Sequence, residues 1–375
     1  MKKKLIASLL AGVMALSLVA CGGTKDDAPA ADGATQEGEM KVAMVTDSGD
    51  ITDQSFNQTT YESAKAWSEE KGYDFTYYKP ESDNDEARIA SIDQAAADGA
   101  NVVILPGFLF EKAIAEQADM YPEIKFVGLD IASGAEGHDN VYCATYQEEI
   151  SGYLAGQMAV KSGYKHLGFL GGMNVPAVTR FGYGYVQGAN DAAKELGIVD
   201  EVEVEYVCGG QFYGDADITA YMDTWYGTKG VEVVFACGGG IYTSAAEAAV
   251  KVDGGKVIGV DSDQSPIIDE YQEGLTLTSA TKGLAATVKT ILTAIDNGEW
   301  DKYAGKVDNL GIVSENPEEN FVTLPIETTQ WNDNFTEDDY LALVKDILDG
   351  KIEISNDIEA MPATDIKVTD YDSIK

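Results

Sequence analysis

From Met40 onward, short apolar runs alternate with longer stretches of helical periodicity, and this alternation constrains the fold more than any other feature. It is typical of α/β proteins whose parallel sheets carry helices on both faces. The predicted strands are too many for one open sheet, and the series restarts near residue 150. The pattern therefore predicts two doubly wound parallel-sheet lobes with a cleft between them. The predicted strands are 41–47, 73–79, 101–105, 125–130, 141–146, 166–170, 201–207, 232–237, 256–261 and 275–280.

The first 20 residues have the pattern of a secretory signal peptide, with three lysines followed by an apolar run. The run ends at Ala20-Cys21, which is similar to a bacterial lipoprotein processing site. Cys21 is therefore the predicted lipidation site, and its acyl chains would hold the protein at the outer face of the cell membrane. The alternative is an ordinary signal peptide with an incidental cysteine. Residues 21–39 lack apolar periodicity, which predicts a flexible tether.

The charge balance excludes several functions. The chain has 64 acidic and 26 basic residues, a formal net charge of −38, so it would repel nucleic acids. Its two histidines argue against a histidine-based triad or a zinc site. Cys143, Cys208 and Cys237 form no paired motif and lie in apolar runs, which predicts small buried side chains. No cofactor, metal or catalytic residue is predicted, and the chain is not expected to be an enzyme.

Polar and glycine residues stand where predicted strands end. In doubly wound sheets, ligands bind beyond the carboxyl ends of the strands. Asp47, Asp130 and Asp261 each end or follow a predicted strand, and two facing lobes would direct such positions towards one cleft. Gly239 is the centre of the glycine run 238–240, which would let backbone approach a ligand closely.

The polar segment 47–58 gives the strongest indication of a ligand. It places Phe56 beside Asn57 and Gln58 at the junction of a strand and a helix. An exposed ring among amide groups suits a flat heteroaromatic ligand, which would stack on the ring while the amides bind its edge. The alternative is a phenylalanine that packs the first helical turn against the core.

Two charged residues are candidates for binding a sugar. Asp261 follows an apolar strand and could accept two hydrogen bonds from a vicinal diol such as that of ribose. It could instead cap the following helix, although Asp263 could also do so. Lys282 lies at a strand–helix junction and could donate to a ligand, or it could be a solvated surface lysine.

Two further segments are predicted to be structural. Gly182, Gly184 and Gly188 fall within a helical pattern and do not match a dinucleotide-binding fingerprint, which indicates close packing of helices. Near the C-terminus, the pattern predicts one helix that ends at Gly350, and residues 356–375 are predicted to form an acidic tail.

Several motifs together resemble the basic membrane protein family of lipoproteins, the PnrA-like purine nucleoside receptors of ABC transporters. The resemblance covers about residues 40 to 355 and implies a type I periplasmic-binding-protein fold whose chain crosses between the lobes more than once. Its two most specific motifs are DQSFNQ at 53–58 and IGVDSDQ at 258–264. Weaker motifs are YLAG at 153–156, GFLGGM at 168–173 and TSATK at 278–282.

The resemblance also assigns roles to residues of this chain. It implies that Asp47 contacts the base, that Phe56 stacks on it and that Asn57 lines its pocket. It implies that Asp130 faces the base, that Asp261 accepts from the ribose diol and that Lys282 contacts the sugar. Candidates for a second stacking ring are Phe181, Phe212 and Phe235, of which Phe235, which precedes the glycine loop, is favoured.

The expected protein is a lipid-anchored, extracytoplasmic and monomeric receptor that delivers purine nucleosides to an ABC permease. Alternatives are a receptor of the same fold for a sugar or another small heterocycle, or a nucleoside-cleaving enzyme. The expected N-lobe is 40–145 with a return segment at about 281–300. The expected C-lobe is 146–280 with a return segment at about 301–355.

Overall fold

Two sheets, each covered by helices, form the framework of the protein in the computed structural model, which describes residues 39–375. The predicted α/β fold with two parallel-sheet lobes is confirmed. The predicted signal peptide, the lipidation site Cys21 and nearly all of the predicted tether lie outside the described residues. Within 39–375, no helix combines the length and apolarity that a membrane crossing requires.

The N-lobe is built on a six-stranded parallel sheet of order β11-β5-β4-β3-β1-β2. Its central strands are buried on both faces because helices cover both sides. The elements are β1 (Lys41–Val45), α1 (Phe56–Lys71), β2 (Asp74–Tyr78), α2 (Asp85–Ala97), β3 (Val102–Pro106), α3 (Glu111–Met120), β4 (Lys125–Leu129), β5 (Val141–Tyr146), α9 (Leu284–Asp296) and β11 (Lys306–Leu310).

The C-lobe contains a seven-stranded sheet of order β12-β10-β9-β8-β6-β7-β13, parallel except for the short edge strand β12. Cys143 in the N-lobe and Cys208 and Cys237 here are free and buried, as predicted. The elements are α4 (Glu148–Lys161), β6 (His166–Gly171), α5 (Pro176–Leu196), β7 (Glu203–Cys208), α6 (Ala216–Thr224), β8 (Val233–Cys237), α7 (Tyr242–Ala249), β9 (Lys256–Asp261), α8 (Ser265–Ile268), β10 (Thr276–Lys282), β12 (Val322–Thr323), α10 (Glu337–Leu348) and β13 (Lys367–Ser373).

The chain crosses between the lobes three times: between β5 and α4, between β10 and α9, and between β11 and β12. Two predicted boundaries are therefore corrected. The segment 301–355 does not belong to the C-lobe alone, because β11 pairs with β5 in the N-lobe sheet. Residues 356–375 are not merely a tail, because β13 pairs with β7 at the edge of the C-lobe sheet. Both strands are polar and partly exposed, so they lack the apolar run by which buried strands are recognised.

Helices α4 and α5 pack with their backbones almost in contact. A Cβ atom on Gly184 would lie 2.0 Å from the Glu149 carbonyl oxygen, and one on Gly188 would lie 2.0 Å from that of Tyr153. Two glycines of α4 approach α5 in the same way, whereas Gly182 faces the sheet. The structure thus confirms helix packing for Gly184 and Gly188, whereas the prediction is wrong for Gly182, which packs on side chains of β6 and β7. The contact fixes the start of α4 against α5.

We predict that Gly188→Ala lowers the free energy of unfolding by about 2 kcal/mol, measured by urea denaturation. The added methyl group would meet backbone that cannot rotate away, and overpacking costs about 1–3 kcal/mol. A matched control is Gly227→Ala, because Gly227 is an exposed helical glycine with no atom within 4 Å of an added Cβ. It should be neutral or slightly stabilising. Equal effects of the two substitutions would contradict the prediction.

Candidate functional site

A cavity lies between the carboxyl ends of the two sheets. The cavity is the place where doubly wound sheets bind ligands. Its lining includes Asp47, Asp53, Phe56, Asn57, Gly107, Phe108, Asp130, Val178, Phe181, Phe212, Gly238, Gly239, Asp261 and Lys282.

Asp53 organises the loop that leads into α1. Its carboxylate accepts hydrogen bonds from the backbone N–H groups of Ser55, Asn57 and Gln58 at 2.9–3.0 Å. It also accepts one from the Asn57 side chain at 3.1 Å. These bonds satisfy donors at the start of the helix. They also fix the direction of Phe56, whose half-buried ring lines the cavity.

The same loop reaches across the cleft to the C-lobe. The Ser55 hydroxyl donates to Asp261 Oδ2 at 2.7 Å. The carbonyl oxygen of Gln54, a residue in the left-handed region at φ 57°, accepts from Ser262 Oγ at 3.2 Å and from Gln264 Nε2 at 3.1 Å. Polar contacts between the lobes therefore close one side of the cavity.

Asp47 and Asn57 form a buried polar pair at the N-lobe wall. Asp47 Oδ1 accepts from the Gly49 N–H at 2.7 Å and from Asn57 Nδ2 at 3.0 Å. Burial raises the pKa of Asp47 to about 6, although these hydrogen bonds oppose the shift. The Asn57 side-chain oxygen is buried and accepts no hydrogen bond from the described residues.

Lys282 is buried and lies among three carboxylates. Its Nζ is 2.7 Å from Asp130, 3.2 Å from Glu148 and 3.7 Å from Asp261. Glu148 also pairs with Arg180 on α5. Burial disfavours the charged lysine, but the carboxylates outweigh it and raise the pKa of Lys282. The alternative of a solvated surface lysine is therefore wrong.

The two strand-end aspartates adopt an uncommon backbone conformation. Asp130 and Asp261 lie in the left-handed region, at φ 59° and 64°. Aspartate tolerates this region better than most residues. The structure does not show Asp261 capping the helix that follows it, so that alternative is wrong. Asp263 instead accepts from the Ser265 N–H at 3.0 Å, while Asp261 lines the cavity. Burial raises the pKa of both strand-end aspartates.

Four phenylalanines line the cavity, and Phe235 is not among them. Phe56 and Phe181 lie with ring centroids 5.0 and 5.4 Å from the buried lysine nitrogen, and Phe108 and Phe212 line other walls. The preference for Phe235 as a second stacking ring is wrong. Its ring is fully buried in the C-lobe core, edge-on to three other aromatic rings. Position along a strand does not show which face a side chain occupies when both faces are apolar.

Gln58 also lies outside the cavity. Its side chain donates to Glu62 at 2.9 Å and accepts from the Gln54 N–H at 3.0 Å. Gln58 follows Phe56 by two residues on α1. Two residues of an α-helix turn through about 200°, so the two side chains point to roughly opposite sides of the helix. The structure brings the other predicted ligand residues together around the cavity, namely Asp47, Phe56, Asn57, Asp130, Gly239, Asp261 and Lys282.

Residues that were not selected from the sequence complete the arrangement. Glu148 is fully buried and pairs with Lys282, and Phe108 lines the N-lobe wall. Glu148-Glu149 has the ordinary pattern of an acidic helix start, so the sequence carries no signal of burial there. The position of Phe108, two residues after the end of β3, was an available signal.

A two-lobed α/β fold with an aromatic and polar cavity between the lobes defines a ligand-binding protein of the periplasmic type. The family model described as "ABC transporter substrate-binding protein PnrA-like" matches residues 40–357. The chain therefore belongs to the Bmp family of ABC transporter substrate-binding proteins, and the resemblance inferred from its motifs is confirmed.

Individual relatives agree with this placement. The chain is 30% identical over 374 residues to the "ABC transporter nucleoside-binding protein BmpA" of Lactococcus lactis, covering 94% of this chain and 99% of that protein. It is 26% identical to an uncharacterized lipoprotein of Pyrococcus horikoshii, covering 83% and 76%. A solute-binding protein of an ABC transporter system from Aeropyrum pernix has the same fold, with 22% identity, coverage of 85% and 94%, and a TM-score of 0.69.

We predict that Asp47→Asn raises the free energy of unfolding at pH 8 by about 2–3 kcal/mol, with little effect at pH 4, measured by urea denaturation. The folded pKa of about 6 exceeds the ordinary value of 3.8, so the native state holds its proton longer than the unfolded chain. The Asp47 side chain therefore contributes its full share of the free energy of unfolding below the unfolded pKa. That contribution is lost as the pH rises through about 6. The control is Asp253→Asn, because Asp253 is exposed and its substitution should change the free energy of unfolding little.

We further predict that Lys282→Met lowers the free energy of unfolding at pH 8 by about 3–5 kcal/mol, because it leaves buried carboxylates without their cation. The loss should shrink at pH 5, where the raised pKa values of Asp130 and Asp261 favour their neutral forms. Lys345→Met, which removes an exposed ion pair, should change little at either pH. Chemical denaturation at both pH values measures this, and equal losses in the two variants would contradict it.

Proposed function

We propose that this substrate-binding protein captures purine nucleosides for an ABC permease. It acts as a monomer tethered through a lipid on Cys21 at the extracytoplasmic face of the cell membrane, and it does not cleave its ligand. The nucleoside-binding relative from Lactococcus lactis and the lipoprotein relative from Pyrococcus horikoshii support the ligand class and the anchor.

The observation that carries the proposal is that one cavity contains both aromatic rings and buried hydrogen-bond acceptors that lack donors. Asn57 Oδ1 and Asp130 Oδ1 are buried and receive no hydrogen bond from any described residue. Phe56 and Phe181 line the same cavity. A ligand that fits this site is flat and carries N–H or O–H donors. A purine base with its ribose hydroxyls has both properties.

A nucleotide fits the site less well than a nucleoside. Phosphate oxygens accept hydrogen bonds, whereas the cavity presents the carboxylates of Asp47, Asp130 and Asp261. The one cation among the described lining residues, Lys282, is already paired with carboxylates. Like charges brought together at short range cost several kcal/mol, so phosphorylation of the ligand should weaken binding.

The expected affinity follows from the interactions available. Stacking contributes about 1–3 kcal/mol per ring, and hydrogen bonds to charged groups about 1.5–3 kcal/mol each. From these contributions we expect a dissociation constant at or below about 1 μM. A sugar receptor of the same fold would use the strand-end aspartates but would gain much less from flat stacking on Phe56.

We predict that Phe56→Ala weakens binding of inosine or guanosine by about 1–3 kcal/mol, measured by isothermal titration calorimetry. The ring lines the cavity, so its removal deletes a stacking surface. Phe75→Ala is a matched control. Phe75 lies on β2, where its ring packs against Tyr61 of α1, and it does not line this cavity. Equal affinity of wild type and the Phe56 variant would contradict the proposed stacking role.

The ligand class is tested by thermal unfolding of the full chain with guanosine, inosine, adenosine, cytidine, ribose and galactose. A ligand at 100 times its dissociation constant stabilises the fold by about 2.7 kcal/mol. Stabilisation by purine nucleosides alone supports the proposal, and stabilisation by a sugar alone overturns it. Release of ribose or free base from inosine during long incubation would support the enzyme alternative instead.

A further inference from the structure

A second pocket, here called the hinge pocket, lies where two of the three lobe crossings pass each other. Gln147, between β5 and α4, lines it, and so does Ile312, which follows β11. Six aliphatic side chains contribute to its walls, including Ile347 at the end of α10 and Ile352 just beyond that helix. The hinge pocket shares no lining residue with the cavity between the carboxyl ends of the two sheets.

Glu149 is the charged residue of the hinge pocket. It is 4% exposed, and its Oε2 atom is buried and accepts no hydrogen bond anywhere in residues 39–375. Leaving a buried charged acceptor unpaired is costly, so such a group is stabilised either by a proton or by a partner of opposite charge. The neighbouring cations Arg180 and Lys282 form ion pairs with Glu148, and neither forms one with Glu149 among the described residues.

The chemistry of the walls defines the ligand. A carboxylate and a carboxamide oxygen accept hydrogen bonds from an ammonium group, and the aliphatic side chains would cover a short hydrocarbon chain. An anionic ligand would meet the charge of Glu149 and is excluded. We propose that the hinge pocket is a binding site for a small aliphatic primary amine, whose ammonium group pairs with Glu149 while its alkyl chain packs on the isoleucines.

The electrostatics of Glu149 support the proposal. Burial raises the pKa of Glu149 to about 7, and the charge of Glu148 adds to the shift. A hydrogen bond from the backbone N–H of Glu149 itself and the nearby Arg180 oppose the shift, but less strongly. An ammonium group would supply the opposite charge that favours the ionised form. Binding should therefore be measured at pH 8, where Glu149 is largely ionised.

The test is calorimetric titration of the full chain, without nucleoside, with 3-methylbutylamine and with 3-methylbutanol. The alcohol has the same carbon skeleton and no charge. We expect saturable binding of one amine per chain and at least tenfold weaker binding of the alcohol. Glu149→Gln should weaken amine binding at least tenfold, whereas Glu353→Gln, which changes an exposed glutamate close to the pocket in sequence, should leave it unchanged.

A second variant keeps the test decisive if Glu149→Gln does not fold. Ile352→Trp enlarges a half-buried side chain of the wall and should block the amine while leaving the carboxylate in place. Absence of saturable amine binding, equal binding of amine and alcohol, or unchanged binding in Ile352→Trp would each overturn the proposal. None of these outcomes depends on nucleoside binding, so failure here is distinct from failure of the proposed function.

Discussion

The buried ammonium group of Lys282 is the interaction on which the arrangement of the site depends. A lysine is costly to bury and is tolerated only when carboxylates compensate its charge. Here the compensation comes from the end of an N-lobe strand, from the end of a C-lobe strand and from the first residue of α4. One side chain thus links both lobes and a crossing segment, and it lies beside the rings of Phe56 and Phe181.

Close helix packing supports this charge cluster from behind. The glycines of α4 and α5 bring the two helices into backbone contact, which places Glu148 beside Arg180. Glu148 can then pair with two cations at once. On the opposite side, the carboxylate of Asp53 fixes the loop that carries Phe56 and Asn57. Support of this kind fixes the side chains that line the cavity, and preorganised side chains lower the entropic cost of binding a ligand.

Much of the fold could be predicted because buried parallel strands have a distinct sequence pattern. The apolar runs that form β3, β4, β8 and β9 are buried on both faces, so their residue types identify them. The edge strands β11 and β13 are polar and gain their stability from pairing with a neighbour that is distant in sequence. No local pattern identifies such a strand.

The site was predictable to the extent that it depends on strand ends. A residue at the end of a buried strand, or within two residues after it, must lie near the carboxyl edge of the sheet. This is why the sequence alone determined that Asp47, Asp130 and Asp261 face the cleft. The tertiary structure alone decided that Phe181 lines the cavity while Phe235 lies in the core, and that Glu148 pairs with Lys282. Those outcomes depend on which face of a strand or helix meets which neighbour, and that is set by packing between segments far apart in the chain.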